Sequence, residues 1–257
     1  MDRPFLIDKP LGATPLQALA LLRRAQGIKE SEKLAYAGRL DPLASGLLAV
    51  VHGEQLARQE EYWYLGKQYE AEVVFGVSTD SFDLMGLPVA HHTPHPTSER
   101  ITSVIRGLVG KIDLSVPIFS SHRYQGLPLF ALAKSQTETP IIVPVRRMSI
   151  SQIDVHSIER VSSHALVATA GERIALVQGD FRQEEICRAW EALFPVDTEL
   201  MCARLSIHCG SGTYIRSLAH ELGRRLGTGG VLSSLRRTRI GQWRITDPEV
   251  IVLSWPL

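Results

Sequence analysis

The chain has 257 residues and a mass of 28.5 kDa, of which 44% are hydrophobic and 21% are charged. These proportions exclude an intrinsically disordered chain, a collagen-like fibre and a coiled-coil rod. No apolar run reaches the ~18 residues that a membrane-spanning helix needs, and the start of the chain is too acidic and too briefly apolar for a secretory signal. We therefore expect a cytoplasmic protein without a membrane contact. Three cysteines, Cys187, Cys202 and Cys209, are odd in number and lack metal-binding spacing, so neither a disulfide framework nor a zinc site is expected.

The net charge of +1 conceals a basic segment near the end of the chain. Between Tyr214 and Arg244 there are seven arginines and one acid, Glu221. A surface that binds a polyanion gains free energy from counterion release wherever Lys or Arg faces phosphate, so this segment is a candidate RNA-binding surface. The alternative is a solvated, arginine-rich helix face. The seven are Arg216, Arg224, Arg225, Arg236, Arg237, Arg239 and Arg244.

Local patterns in the first half of the chain predict two helices and two strands. Thr14 is a candidate helix cap, with Pro15 at the first helical position and a stop near Gly27. An apolar run predicts a strand over 47–51, and strict alternation of apolar and polar residues predicts another over 67–76. After a polar, proline-broken loop, Thr97 or Ser98 can cap the second helix.

The second half contains three predicted strands and two predicted helices. The strands are expected over 148–155, 164–170 and 202–209, and the helices over 182–193 and 213–226. Strands and helices interleave without a regular βαβ order. We therefore predict an α+β fold, with a mixed, mainly antiparallel sheet and flanking helices, in a single domain over 1–257.

Two segments can carry chemistry. Glycines and a proline surround Asp41 in the stretch AGRLDPLASG, which indicates a tight loop that holds the carboxylate rigidly. The alternative is an Asx-turn that leads into the strand over 47–51. The stretch CGSGTY precedes the helix over 213–226, so free backbone N–H groups could bind a phosphate there, with Arg216 one turn into the helix. The alternative is an ordinary capped helix.

Several stretches together resemble the TruB family of tRNA pseudouridine synthases in order and approximate spacing. They are LIDKPLGAT, GRLDPLASGLL, KQYEAEVVFG with TDSFDLMG, VPIFSSHRYQGLPLFALAK, and HCGSGTYIRSLAHELG with LRRTRIG. The resemblance implies a pseudouridine-synthase-like catalytic domain that works without a cofactor. It implies an isomerase, an intramolecular transferase that detaches a uracil base from its ribose, rotates it and rejoins it through carbon 5. The implied substrate is uridine 55 in the T-loop of tRNA, and the implied state is a monomer without an obligate protein partner.

The resemblance also assigns roles to individual residues. Asp41 matches the catalytic aspartate, Tyr69 the tyrosine that stacks on the target base, and Arg216 the arginine that pairs with the aspartate. A carboxylate near the sugar can act as nucleophile or stabilise positive charge, and a guanidinium favours its ionised form. The substrate-binding candidates are Lys9, Tyr36, Arg123, Tyr214, Leu235, Arg236 and Arg237, with Lys134, Arg146 and Arg147 as further phosphate contacts.

Several positions depart from the family's pattern. Tyr36 stands where a histidine is frequent, Arg39 where a small or polar residue is usual, Phe119 in place of a tyrosine and Arg123 in place of a lysine. An insertion of unassigned role is expected within about 158–200. The chain stops at residue 257, so we expect it to lack the carboxyl-terminal PUA domain of many bacterial members.

Two other hypotheses stay open for the function: the same reaction on a different RNA, and RNA binding or folding without catalysis. A metal site at His91, His92 and His95 is disfavoured, because these residues lie in a proline-rich loop without ligand-like spacing elsewhere. Asp80 and Asp83 could bind a cation, but a turn explains them more simply. We therefore predict no metal.

Overall fold

The computed structural model describes residues 3–134 and 142–255, and the remaining residues lie outside this description. The helices are α1 (Pro15–Gln26), α2 (Gln59–Trp63), α3 (Ser98–Arg106), α4 (Leu129–Lys134), α5 (Ser163–Ala175), α6 (Gln183–Leu193) and α7 (Ile215–Leu226), with a 3-10 helix at Gly53–Arg58. The strands are β1 (Phe5–Lys9), β2 (Leu34–Ala37), β3 (Ala44–His52), β4 (Lys67–Phe75), β5 (Val77–Thr79), β6 (Pro88–Ala90), β7 (Gly110–Ser115), β8 (Arg123–Tyr124), β9 (Leu127–Pro128), β10 (Val145–Ser162), β11 (Glu199–Cys209), β12 (Gly230–Ile240), β13 (Trp243–Arg244) and β14 (Ile251–Val252).

One 10-stranded sheet runs through the described chain in the order β14-β1-β3-β12-β4-β11-β10-β7, with β2 beside β3 and β13 beside β12. Most neighbours are antiparallel, while β1 pairs with β14 and β3 pairs with β12 in parallel. The predicted α+β class with a mixed, mainly antiparallel sheet is therefore confirmed. The parallel pair is important for the site, because it sets Leu235 on β12 beside Ala44, three residues after Asp41.

Helices cover the sheet on both faces. Alternate residues of β4, including Tyr69, Ala71 and Val73, pack with α3 and α7 on one face. Val74, one position along, points to the other face and packs with α5 and α6. The helix α1 packs over β1 and β3. The predicted alternation in 67–76 thus becomes a strand whose two faces belong to two different cores.

Capping signals located the helix ends well. The Thr14 side chain accepts from the Gln17 N–H and caps α1, which ends at Gly27 in the left-handed conformation with φ of 63°. Thr97 caps α3 in the same way, accepting from the Arg100 N–H. These predictions are confirmed, because caps depend on neighbouring residues alone.

The predicted strand over 164–170 is wrong, because these residues belong to α5. Ser162 caps this helix by accepting from the Ala165 N–H. The residues buried along it, Leu166, Ala170 and Ile174, recur every four positions, which is the spacing of one helix face. Strand β10 is also longer than the predicted 148–155. Among the described residues no helix combines the length and the apolarity needed to cross a membrane.

Candidate active site

Folding brings Asp41 and Arg216 together. Asp41 lies in the turn between β2 and β3, and Arg216 is the second residue of α7. The Arg216 Nε atom lies 2.9 Å from the Asp41 Oδ2 atom. The two side chains therefore form a close ion pair. The Arg216 side chain is 5% exposed and that of Asp41 is 28% exposed, so the carboxylate remains open on one side.

Arg216 is held from several directions. Its Nη1 donates to the Ser81 carbonyl at 3.0 Å and its Nη2 donates to the Phe119 carbonyl at 3.3 Å. A second carboxylate, Asp83, places Oδ2 3.7 Å from Arg216 Nε. Burial by itself lowers the pKa of the Arg216 guanidinium, but Asp41 and Asp83 outweigh it, so that the pKa lies above its ordinary value. The guanidinium therefore stays charged and is the counter-charge of both carboxylates.

The turn that carries Asp83 is built by its own side chains. Ser81 Oγ donates to Asp83 Oδ1 at 2.6 Å, the Met85 N–H donates to the same oxygen at 3.0 Å, and Asp80 Oδ1 accepts from the Leu87 N–H at 2.9 Å. These contacts agree with the turn interpretation. The contact between Asp83 and Arg216 was missed, because sequence showed a polar turn but not the helix that packs against it. Burial raises the pKa of Asp83.

The histidines of the proline-broken loop do not form a metal cluster. His91 Nε2 lies 2.8 Å from the Ser78 hydroxyl oxygen. Within the described ranges no three His, Cys, Asp or Glu side chains are arranged to hold a metal ion.

A cavity of about 890 Å³ opens over the ion pair. Its volume lies in the range of about 300 to 1,000 Å³ that small-molecule sites occupy. Tyr69 on β4 is 7% exposed in its wall, and burial raises the pKa of its phenol, which therefore stays protonated at neutral pH. The predicted site residues that line the cavity are Tyr36, Asp41, Tyr69, Arg123, Tyr214, Leu235, Arg216 and Arg237.

Two predicted phosphate contacts have protein partners instead. Arg237 is 1% exposed, and its guanidinium donates to the carbonyls of Leu47 at 2.7 Å, Gly38 at 3.1 Å and Arg39 at 3.3 Å. Arg237 thus supports the Asp41 loop from within the sheet rather than facing solvent. Arg236 donates to Asp8 Oδ2 at 2.6 Å and is not part of the cavity wall.

The basic segment as a whole does not form one surface. Arg224 and Arg225 both pair with Glu221, at 2.7 and 2.8 Å, on the exposed side of α7. Arg239 Nε donates to the Gly241 carbonyl. Arg123 is exposed at the cavity, which leaves it in a suitable place to meet a phosphate group.

Lys9 was predicted to bind substrate, but the structure buries it completely and outside the cavity wall. Its Nζ donates to the carbonyls of Ala13 at 2.6 Å and Pro10 at 2.9 Å. Burial lowers the pKa of Lys9 to about 7, although the negative charge of Asp41 opposes this change. Lys9 therefore stabilises the backbone beside the Asp41 loop.

The lowered pKa of Lys9 predicts a pH-dependent stability. In the unfolded chain its pKa is the ordinary 10.5, and in the folded protein it is about 7, so between these values the unfolded state binds more protons. The free energy of unfolding should therefore rise with pH in this range, by an amount on the order of a few kcal/mol. Urea unfolding at pH of about 7, 8 and 9 should show this rise in the unaltered protein relative to Lys9→Met.

Lys29→Met is the matched control, because Lys29 is exposed. Its free energy of unfolding should follow that of the unaltered protein at each pH. A constant difference between the unaltered protein and Lys9→Met over the whole range would contradict the lowered pKa.

Comparisons with known proteins identify the family of the chain. A family model described as "TruB family pseudouridylate synthase (N terminal domain)" matches residues 23–172. A tRNA pseudouridine synthase B of Aromatoleum aromaticum is 30% identical over 247 residues, which are 96% of this chain and 66% of the relative. One of Xanthomonas campestris pv. campestris is 33% identical over 251 residues, which are 97% of this chain and 66% of the relative. The chain thus spans about two thirds of the length of these curated relatives.

Solved structures show the same fold. A crystal structure of a Cbf5-Nop10-Gar1 complex matches with a TM-score of 0.59 and 20% identity, over 98% of this chain and 52% of the other. An H/ACA RNP bound to a substrate RNA containing 2'-deoxyuridine matches with a TM-score of 0.57 and 20% identity, over 97% and 50%. Since the family model covers more than half of the residues, and motifs and fold agree with it, the chain belongs to the TruB family of pseudouridylate synthases.

Proposed function

We propose that the chain is a tRNA pseudouridine synthase that converts a uridine, uridine 55 in the T-loop, to pseudouridine. The observation that carries this proposal is the ion pair between Asp41 and the buried Arg216 in a cavity that also presents Tyr69 and Tyr214. A charged carboxylate open on one side, beside aromatic rings that can hold a pyrimidine, is the arrangement that this reaction requires.

The reaction rearranges atoms without adding or removing any. The bond between ribose carbon 1′ and base nitrogen 1 breaks, the base turns, a bond forms between carbon 1′ and carbon 5, and the proton of carbon 5 is lost while nitrogen 1 gains one. Asp41 can attack as a nucleophile or stabilise positive charge on the sugar. Arg216 supplies a positive charge 2.9 Å from this carboxylate and orients it in the cavity.

The target base must leave its stack before it can reach Asp41. Extrusion costs a few kcal/mol, and stacking on an aromatic ring returns about 1 to 3 kcal/mol. Tyr69 offers such a ring in the cavity wall, and Tyr36 offers another. Arg39 and Arg123 are exposed in the same wall and can meet the phosphates on either side of the extruded nucleotide.

The test is incubation of the purified protein with total tRNA, and separately with ribosomal RNA, from a strain that lacks the gene. Pseudouridine is then mapped by base-specific chemical modification, with Asp41→Asn as the control. Product at uridine 55 with the unaltered protein alone supports the proposal. Product at another position indicates a different RNA substrate, and RNA binding without product indicates a non-catalytic role.

Tyr69→Phe separates the ring from its hydroxyl. RNA binding should stay within about twofold of the unaltered protein, because the ring that stacks on the base persists. Turnover should be lost if the hydroxyl takes part in proton transfer. The affinity is measured by filter binding and the rate by single-turnover assay. A turnover rate equal to that of the unaltered protein would reject a role for the hydroxyl.

A further inference from the structure

The connection between β10 and β11 reaches the active site. It consists of α5, α6 and the loop between them, and it falls within the segment 158–200 that sequence analysis left without a role. A second cavity, of about 290 Å³, is lined by both Asp41 and Arg216 and by Phe181 and Arg182 of this loop. The loop therefore forms part of the surroundings of the ion pair.

Arg182 makes two contacts with segments beside this cavity. Its Nη2 lies 3.1 Å from Asp80 Oδ2, in an ion pair whose side chains are 26% and 34% exposed. Its guanidinium carbon lies 4.3 Å from the centroid of the Phe119 ring. A planar cation can stack on an aromatic face and bind a carboxylate at the same time, which lysine does less well.

The two partners of Arg182, Asp80 and Phe119, belong to the two segments whose carbonyls accept from Arg216. Asp80 precedes Ser81, whose carbonyl accepts from Arg216 Nη1. Phe119 itself supplies the carbonyl that accepts from Arg216 Nη2. One side chain from the β10–β11 connection thus joins both of the segments that orient the guanidinium facing Asp41.

The backbone of Arg182 supports this interpretation. Its φ of 62° and ψ of 27° lie in the left-handed region, where a residue other than glycine is strained. Arg182 occupies the cap position of α6 and makes no side-chain cap there. Such a conformation persists when surrounding contacts impose it. A neighbouring contact, from Lys134 Nζ to Asp180 Oδ2 at 3.1 Å, holds the same loop against α4.

We propose that Arg182 is a positioning residue of the active site, which fixes the Ser81 and Phe119 carbonyls and through them the orientation of Arg216 toward Asp41. This inference rests on the proposed function. Arg182 does not need to touch the RNA for this role. Its loss should therefore lower the rate of the chemical step and leave RNA binding unchanged.

The test compares Arg182→Gln with Arg188→Gln, which removes an exposed arginine of α6 that pairs with Glu184. For Arg182→Gln we expect kcat to fall by about tenfold or more, since small misplacements of reacting groups have effects of this size, with KM within about twofold. Arg188→Gln should match the unaltered protein in both constants. Arg182→Lys keeps the charge beside Asp80 and should recover part of kcat.

Asp80→Asn removes the charge that Arg182 pairs with, and so tests whether Arg182 acts on kcat through this contact. The turn should persist in this variant, because the amide oxygen can still accept from the Leu87 N–H. The double variant Arg182→Gln/Asp80→Asn should lose no more rate than the worse single variant. The inference would be overturned if the losses of rate in the two single variants multiply in the double variant. It would also be overturned if kcat is unchanged in Arg182→Gln, with or without a raised KM.

Thermal unfolding shows whether each variant is folded at the assay temperature. If Arg182→Gln is not, Phe119→Leu removes the stacked ring alone, and an unaltered kcat in that variant would overturn the inference. Absence of pseudouridine with the unaltered protein would instead refute the proposed function, so the two failures are distinct.

Discussion

Asp41→Asn is expected to lower pseudouridine formation by at least about 10³-fold, the scale seen when a reacting group is removed from an active site. The amide has nearly the same shape but cannot attack the sugar or stabilise positive charge on it. The fold should remain, because the buried Arg216 keeps Asp83 as a counter-charge. Single-turnover assays on tRNA give the rate, and urea unfolding shows that the variant is folded.

Asp154→Asn is the matched control, because Asp154 is an exposed carboxylate whose side chain accepts from Gln152. It should turn over at the rate of the unaltered protein. A rate for Asp41→Asn within about tenfold of the unaltered protein would show that Asp41 is not the reacting carboxylate.

Arg216→Met should affect both activity and stability. It leaves Asp83, which is 10% exposed, without its counter-charge, and it removes the donors to the Ser81 and Phe119 carbonyls. Breaking a buried pair from one side costs about 3 to 5 kcal/mol, and we expect a loss of that size in the free energy of unfolding at neutral pH. Turnover should be lost with it.

The loss in the free energy of unfolding of Arg216→Met should become smaller as the pH falls. Burial already raises the pKa of Asp83, and loss of Arg216 should raise it further. The free energy of unfolding of Arg216→Met should therefore be lowered most at a pH where Asp83 is ionised in the unfolded chain. As the pH falls from neutral to about 4, the unfolded chain gives up less charge on Asp83 and the deficit should shrink. Urea unfolding at both pH values measures this change.

Two further variants separate the charge of Arg216 from its geometry. Arg216→Lys should regain much of the stability but little of the rate, because one ammonium group cannot serve both carbonyls and both carboxylates. Arg224→Met removes an exposed arginine of the same helix and should change neither quantity by much. An Arg216→Met protein as stable as the unaltered one at neutral pH would show that the buried charges are not coupled.

The elements that sequence predicted best are those with local signals. The helix α1 has a cap, a proline and a stop within its own residues, and β4 alternates strictly. Strand β12 was not predicted, because its arginines are typical of a surface segment. Arg237 is buried there only because the carbonyls of Gly38 and Leu47 accept its donors, and those residues are distant in sequence. Burial of a cation in this way depends on tertiary contacts.

The same distinction holds for the site. The rigid turn around Asp41 follows from its glycines and proline, but its contact with Arg216 depends on how helix α7 packs, and only the family resemblance indicated it. The second carboxylate on Arg216, Asp83, and the burial of Lys9 had no local signal at all. Residues whose role depends on buried tertiary contacts are therefore the ones that sequence patterns do not predict.

The parallel pairing of β3 with β12 also has a consequence for how the protein folds. Gly46 on β3 lies so close to the Arg237 backbone that a Cβ atom there would collide with it. The Arg237 Nε–H reaches the Leu47 carbonyl across 190 positions of sequence. The edge of β3 that faces β12 therefore stays unpaired until residues 230–240 are available to fold against it, and such non-local pairing is slow.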